Sequence, residues 1–149
     1  MFSKSAEYAL RATIYIAQKS SEENKLGMAE ISKAIGSPRP FTAKILQLLT
    51  RDNKIIRSVR GPNGGFYITD KAKKLPARAI LEAVGENDVL RRCVLGLAQC
   101  SDNKPCPMHS EYKIIKEQLI KLFENKTIQV LSQEVGKGTW VINNLKYSK

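Results

Sequence analysis

The stretch from residue 55 to 68 narrows the possible folds more than any other. Two short β-type runs, Ile55-Ile56-Arg57-Ser58-Val59-Arg60 and Phe66-Tyr67-Ile68, are separated by Gly61-Pro62-Asn63-Gly64-Gly65. Five turn-forming residues in a row between β-branched and aromatic residues predict a β-hairpin. The glycine-rich tip is followed by a strand and not by a helix, so it lacks the setting of a nucleotide-phosphate loop.

The segments around the hairpin read as helices. From Lys4 to Lys19 the residues Ala6, Leu10, Ile14 and Ala17 fall on one face, widened by Ala9 and Ile16. A second helix is predicted from Gly27 to Ile35, with Met28, Ile31 and Ile35 on one side. Gly36 stops it, because a helix end commonly needs a left-handed residue. Ser37 offers a cap for a third helix running to about Arg51, and Pro38 and Pro40 suit its first turn. That helix is expected to turn Phe41, Ile45, Leu48 and Leu49 inward and to leave Arg39, Thr42, Ala43, Lys44 and Gln47 on or near the outside. After Pro76 a short helix carries Ile80, Leu81 and Val84 up to Gly85. A longer one from His109 to Glu124 presents Tyr112, Ile115, Leu119 and Leu122 as a stripe, widened by Ile114 and Phe123. Thr127 can cap a last helix through Val135, and the tail from Gly136 has no clear pattern.

Charge gives these elements a purpose. The 149 residues hold 25 Lys and Arg against 14 Asp and Glu, a net charge of +11. Between Arg39 and Lys74 nine basic residues face only Asp52 and Asp70, so this stretch supplies +7 of it. Such an excess suits a polyanionic partner. Three helices, a tight turn at Gly36 and a basic hairpin make a winged helix-turn-helix, whose recognition helix fits the major groove of double-stranded DNA. The candidate DNA-binding residues are Arg39, Thr42, Lys44 and Gln47 on the third helix, with Arg60 and Asn63 at the wing. Arg60 is placed to enter a minor groove or to follow phosphates.

The three cysteines fall within 14 residues, and the single histidine follows at once: Cys93-x6-Cys100-x5-Cys106-x2-His109. Thiolates and an imidazole are soft ligands suited to iron–sulfur clusters or zinc. Zinc sites usually show tight Cys-x2–4-Cys knuckles, which are absent here. The wider spacing suits a loop around a larger inorganic core, although zinc and a purely thiol-based role stay open. No run of apolar residues is long enough to cross a membrane. Glu7 and Arg11 interrupt the one segment that resembles an export signal, so a reducing cytoplasm and free thiols are expected. No nucleophile–base pair is recognisable, and an enzyme is not expected.

Three segments carry a resemblance. The opening KSAEYALRA (Lys4 to Ala12), the wing from Ser58 to Tyr67 and the cysteine loop together resemble the Rrf-two family of bacterial transcription regulators, in its cluster-binding, IscR/NsrR-like branch. The similarity covers residues 1–135. The resemblance implies a mainly α fold with a small β-hairpin wing: a winged helix-turn-helix over residues 1–75, then a cluster-binding loop and dimerisation helices over 76–149. The long C-terminal dimerisation helix would be His109–Glu124. It also implies a homodimer on a palindromic operator, in most members as a repressor. The cofactor would be an iron–sulfur cluster, [2Fe-2S] or [4Fe-4S], held by Cys93, Cys100 and Cys106. The fourth ligand is a histidine three residues past the third cysteine in some members, matching His109, and a carboxylate of the first helix in others, matching Glu7. The signals such clusters meet are nitric oxide, redox stress and iron–sulfur status.

Overall fold

The structure is a computed structural model and describes residues 2–138 and 141–143. Seven α-helices and one two-stranded antiparallel sheet are assigned among them. The helix α1 (Lys4–Lys19) is capped by Ser3, whose hydroxyl accepts from the amide of Ala6 (3.1 Å). Its buried face is Ala6, Ala9, Ala12, Thr13, Ile16 and Ala17. Leu10 and Ile14, both expected within that face, are half-buried and flank it. Thr13 enters the core because its hydroxyl donates to the Ala9 carbonyl (2.8 Å).

The next two helices, α2 (Met28–Ile35) and α3 (Arg39–Leu49), are joined by the predicted turn. Gly36 sits at φ 69°, ψ 36°, and its amide donates to the Ser32 carbonyl. Ser37 is not the cap of α3. Pro38 takes that position with no side-chain cap, and Ser37 is buried, its carbonyl accepting from the Ser32 hydroxyl. The buried face of α3 is Thr42, Ile45, Leu46 and Leu49. This is rotated by about one residue from the expected face, so Leu46 is inside and Leu48 only half buried. The helix ends at Leu49, earlier than expected, and Arg51–Asn53 form a 3-10 turn. Asp52 and Asn53 take positive φ there, a conformation that these two residue types tolerate better than most.

The hairpin pairs β1 (Ile56–Val59) with β2 (Gly65–Ile68) in the register Ile56 to Ile68 and Val59 to Gly65. A one-turn helix, α4 (Asp70–Lys73), follows and was not foreseen; Thr69 caps it. Then come α5 (Arg78–Ala83), a 3-10 turn at Asn87–Leu90, the cysteine loop, α6 (His109–Asn125) and α7 (Ile128–Gly136). Thr127 caps α7 as its sequence position suggested, its hydroxyl accepting from Val130 (3.2 Å). No element is assigned in the tail after α7, whose residues 139–140 and 144–149 lie outside the described ones.

Two apolar clusters hold the chain together. The larger joins α1, α2, α3 and the hairpin, and it also takes in Ala79 and Ile80 of α5 and Ile128 of α7. The core thus crosses the expected division at residue 75. The smaller cluster gathers Ala6, Ala77, Leu81, Val89, Leu90 and Phe123. Because Leu46 is 1% exposed, its truncation to alanine should cost about 2–5 kcal/mol of stability. The same change at Leu48 should cost less, and thermal unfolding of the two variants checks the order.

Candidate nucleic-acid interface and cysteine loop

The wing is anchored at its base and bare at its tip. Leu26, in the segment between α1 and α2, forms a bridge to Phe66: each amide donates to the other's carbonyl, at 2.9 and 2.8 Å. At the tip the Gly64 amide donates to the Gly61 carbonyl (2.9 Å), closing the turn. A Cβ at Gly64 would lie 2.1 Å from the Val59 carbonyl oxygen, so the turn admits no side chain there. Arg60 and Asn63 stand exposed on this tip, and Arg57 is exposed on β1.

On α3 the side chains of Arg39, Lys44 and Gln47 are exposed. Thr42 is not. It is fully buried, one turn before Leu46, and its hydroxyl donates to the Pro38 carbonyl (3.0 Å). Its expected place on the outer face is therefore corrected: the internal hydrogen bond lets a polar residue sit on the core side of the helix. What remains is an exposed basic and amide-bearing row on α3, with a guanidinium and an amide on the wing. Behind α3, Phe41 packs edge-on against Tyr8 of α1 (5.4 Å between ring centres). Arg11 of α1 reaches the C-terminal end of α2, donating to the Ile35 carbonyl (3.2 Å).

The second constellation lies between the 3-10 turn at Asn87–Leu90 and the start of α6. The three cysteines are free thiols. Cys93 and Cys106 have their sulfurs 3.9 Å apart. Cys100 Sγ lies 3.4 Å from Nδ1 of His109, the first residue of α6, and that histidine is buried. Among the described residues no three candidate ligands close on a single ion. The donors stand as two pairs. Backbone amides of Leu97 and Leu95 point at Cys93 and, with help from Cys106 and Lys116, pull its thiol below the ordinary range. A lowered thiol pKa favours the thiolate, the form that binds metal.

Three residues that were not singled out in the sequence complete the surroundings. Nε2 of His109 lies 2.7 Å from Asp102 Oδ1. The ammonium of Lys113 is 3.3 Å from each Asp102 oxygen. The hydrogen bond with His109, and then the contact with Lys113, hold the Asp102 carboxyl below the usual carboxylate range. Lys116 donates to Cys100 Sγ (2.9 Å) and to the Arg91 carbonyl (3.2 Å). Helical spacing carried the signal for the two lysines: His109, Lys113 and Lys116 follow at i, i+4 and i+7. Glu7, the other candidate ligand, sits in the first turn of α1 and is paired with Lys4 (3.2 Å). It does not join either sulfur pair in a group of three.

Beyond His109, only Phe123 of α6 is buried. Ile114 (59% exposed), Ile115 (54%) and Leu122 (51%) leave an apolar stripe on this helix. No helix among the described residues is long and apolar enough to cross a membrane.

Comparison with known proteins gives these features a common setting. The profile of the Rrf2 family, described as iron-dependent transcriptional regulators, matches residues 2–134. An HTH-type transcriptional regulator of Aquifex aeolicus is 32% identical over 133 residues, covering 88% of this chain and 90% of that protein. The HTH-type transcriptional regulator IscR of Serratia proteamaculans is 28% identical over 124 residues, covering 83% and 74%. Among solved structures, CymR (YrzC), the global cysteine regulator of B. subtilis, superposes with a TM-score of 0.72 at 16% identity, over 90% of this chain and 97% of that one. T. potens IscR gives a TM-score of 0.68 at 16% identity, over 99% and 96%. The chain belongs to the Rrf2 family: it is a winged-helix transcriptional regulator and not an enzyme.

Proposed function

We propose that this regulator binds a palindromic operator as a homodimer, acting as a repressor in the cytoplasm, and that an iron–sulfur cluster controls its hold on DNA. The observation that carries the reading is the cysteine loop. One short segment holds three thiols and a buried imidazole as two pairs, Cys93 with Cys106 and Cys100 with His109, with Lys116 donating to Cys100 and the Cys93 thiol held below its ordinary range. Soft donors in that number fit a [2Fe-2S] or [4Fe-4S] cluster. Their division into two pairs suits a body of several atoms better than a single tetrahedral zinc ion. Cys93, Cys100, Cys106 and His109 would hold it, with Glu7 the alternative fourth ligand. Such a cluster supplies a group that reacts with nitric oxide and oxidants.

The residues themselves supply the link to DNA. Val89 and Leu90, just before Cys93, pack with Ala6 of α1 and Phe123 of α6. Helix α1 in turn packs on α2 and α3. A change in the loop would therefore reach the helix-turn-helix through α1, which contributes to both apolar clusters. It shifts DNA affinity to the extent that the two loop states differ in their fit to the DNA-competent arrangement.

On DNA, Arg60 and Lys44 are the informative positions, with Arg39, Gln47 and Asn63 as neighbours. Arg60→Ala should weaken operator binding by about 1–3 kcal/mol, the scale of one specific contact, without loss of fold. Lys44→Ala should weaken binding on some operator variants if it reaches a base, or uniformly if it reaches phosphate. Titration of labelled promoter DNA at fixed salt measures both; unchanged affinity for Arg60→Ala would remove the wing from the interface.

The apolar stripe of α6 supports the dimer, since a second copy would cover it. Two recognition helices would then address half-sites about one helical turn, or a multiple of it, apart. Sedimentation should show a dimer at micromolar concentration. A charge placed in the stripe, Ile115→Glu, should give a monomer with weakened operator binding.

The cluster itself is tested by anaerobic purification with iron and sulfide analysis, followed by DNA binding with and without the cluster. Any one of Cys93→Ala, Cys100→Ala or Cys106→Ala should abolish visible absorbance and make DNA affinity insensitive to nitric oxide. His109→Ala should shift the spectrum or make the cluster labile, while Glu7→Ala changes little; the reverse pattern would make Glu7 the ligand. Stoichiometric zinc without iron or sulfide would replace this reading with a zinc-stabilised or thiol-based regulator, a role that the 3.9 Å approach of Cys93 and Cys106 would also serve.

A further inference from the structure

We propose that Asp102 is a positioning residue: its carboxylate fixes the His109 imidazole in the tautomer that leaves Nδ1 bare and turned toward Cys100. The proposal rests on the reading of this loop as a metal-binding element and assigns it an orienting group.

A neutral imidazole has one N–H, and an ionised carboxylate can only accept. With Nε2 at 2.7 Å from Asp102 Oδ1, the proton belongs on Nε2 and the Nδ1 lone pair is free. The Cys100 thiol fits this tautomer: its S–H can donate to the unprotonated Nδ1 at 3.4 Å while its sulfur accepts from Lys116 at 2.9 Å. The carboxylate is itself held in place, with Lys113 at 3.3 Å from both of its oxygens. His109 is 8% exposed at the start of α6, so its ring has little freedom to turn to solvent for another partner. Metal-binding histidines characteristically donate their second ring nitrogen to a carboxylate, which fixes the ring and raises the basicity of the ligating nitrogen. Asp102 stands where such a group is needed, within the same loop as the cysteines it serves.

A merely structural role, tying the loop to α6 through an ion pair, would not dictate which nitrogen carries the proton. His109 is the single histidine of the chain, so one imidazole is seen in long-range proton–nitrogen correlation spectra. In reduced, metal-free, nitrogen-15-labelled protein, at a pH well above the imidazole range, the wild type should show a protonated Nε2 and an unprotonated Nδ1. Asp102→Leu should lose that preference and Asp102→Glu should restore it. Asp102 is largely exposed, and circular dichroism establishes that both variants are folded. Lys113→Ala, which leaves the carboxylate in place but unanchored, should fall between them. A protonated Nδ1 in the wild type, or an unchanged tautomer in Asp102→Leu, overturns the proposal.

Anaerobic reconstitution with iron and sulfide separates this claim from the reading beneath it. Asp102→Leu should release iron to a chelator about 10–100-fold more readily than the wild type, with weakened nitrogen hyperfine coupling in the reduced sample. If the tautomer depends on Asp102 but no iron and sulfide are taken up, the cluster reading falls and the positioning role stands. If a cluster assembles with the same nitrogen coupling and the same iron retention in Asp102→Leu, the positioning role falls and the cluster reading stands.

Discussion

The alanine face of α1 is the constraint on which the rest of the structure depends. Ala6, Ala9, Ala12 and Ala17 are at most 4% exposed, and α2, α3, α5, α7 and β2 all pack against this one helix. Side chains no longer than a methyl group let neighbouring backbones come close from several directions, while Ile16 supplies the bulk that fills the centre. The larger residues are delivered by the surrounding elements: Ile31 and Ile35, Ile45 and Leu46, Ile80, Ile128. A bulkier residue at Ala9 or Ala12 would push these elements apart, because a close-packed interior has no room to absorb added methylenes. The same helix touches both apolar clusters, Ala9 and Ala12 in the larger and Ala6 in the smaller. Helix α5 spans the two clusters as well, with Ala79 and Ile80 in the larger and Leu81 in the smaller.

That position gives the two chemical surfaces different characters. The wing and the outer row of α3 are rigid because their bases are tied down: by the Leu26–Phe66 bridge, by the Gly36 turn, by the Arg11 hydrogen bond to the end of α2. Exposed cations on a fixed frame keep their spacing, which is what a groove with a fixed repeat requires. The cysteine loop is held differently. Val94, Leu95 and Leu97 are 41–51% exposed, so apolar burial contributes little between Cys93 and Cys100. Order there comes from polar contacts with α6, through His109, Lys113 and Lys116.

Much of this was legible in the sequence, for identifiable reasons. The turn residues from Gly61 to Gly65 and the glycine at position 36 specify backbone conformations that no packing argument could override. Both appear where expected. The helix ranges followed from apolar spacing, and that of α1 was matched to the residue. Faces were harder. On α3 a one-residue rotation moved Thr42 and Leu46 inside and Leu48 partly out, because Thr42 meets its hydrogen-bonding need on the preceding turn and so ceases to behave as a polar residue. The one-turn helix α4 is too short for periodicity to reveal. At the cysteine loop the ligand types and their crowding were readable, but the partners of His109 were not. Asp102 lies in a loop, where spacing carries no facing rule, and only the folded chain shows that it meets the imidazole.

Buried polar groups explain why the loop meets α6 where it does. His109 is one of seven buried polar residues among those described, and of these the only one with an ionisable side chain. Both of its ring nitrogens have partners, one a carboxylate and one a sulfur. Burial without those partners would cost the full desolvation of the ring's polar atoms. The loop is therefore needed by the helix as much as the helix is needed by the loop: without Asp102 and Cys100 the first turn of α6 would have to open to water. Since α6 also delivers Phe123 to the cluster that contains Ala6, any rearrangement of the loop that uncovers His109 disturbs a helix already packed toward α1.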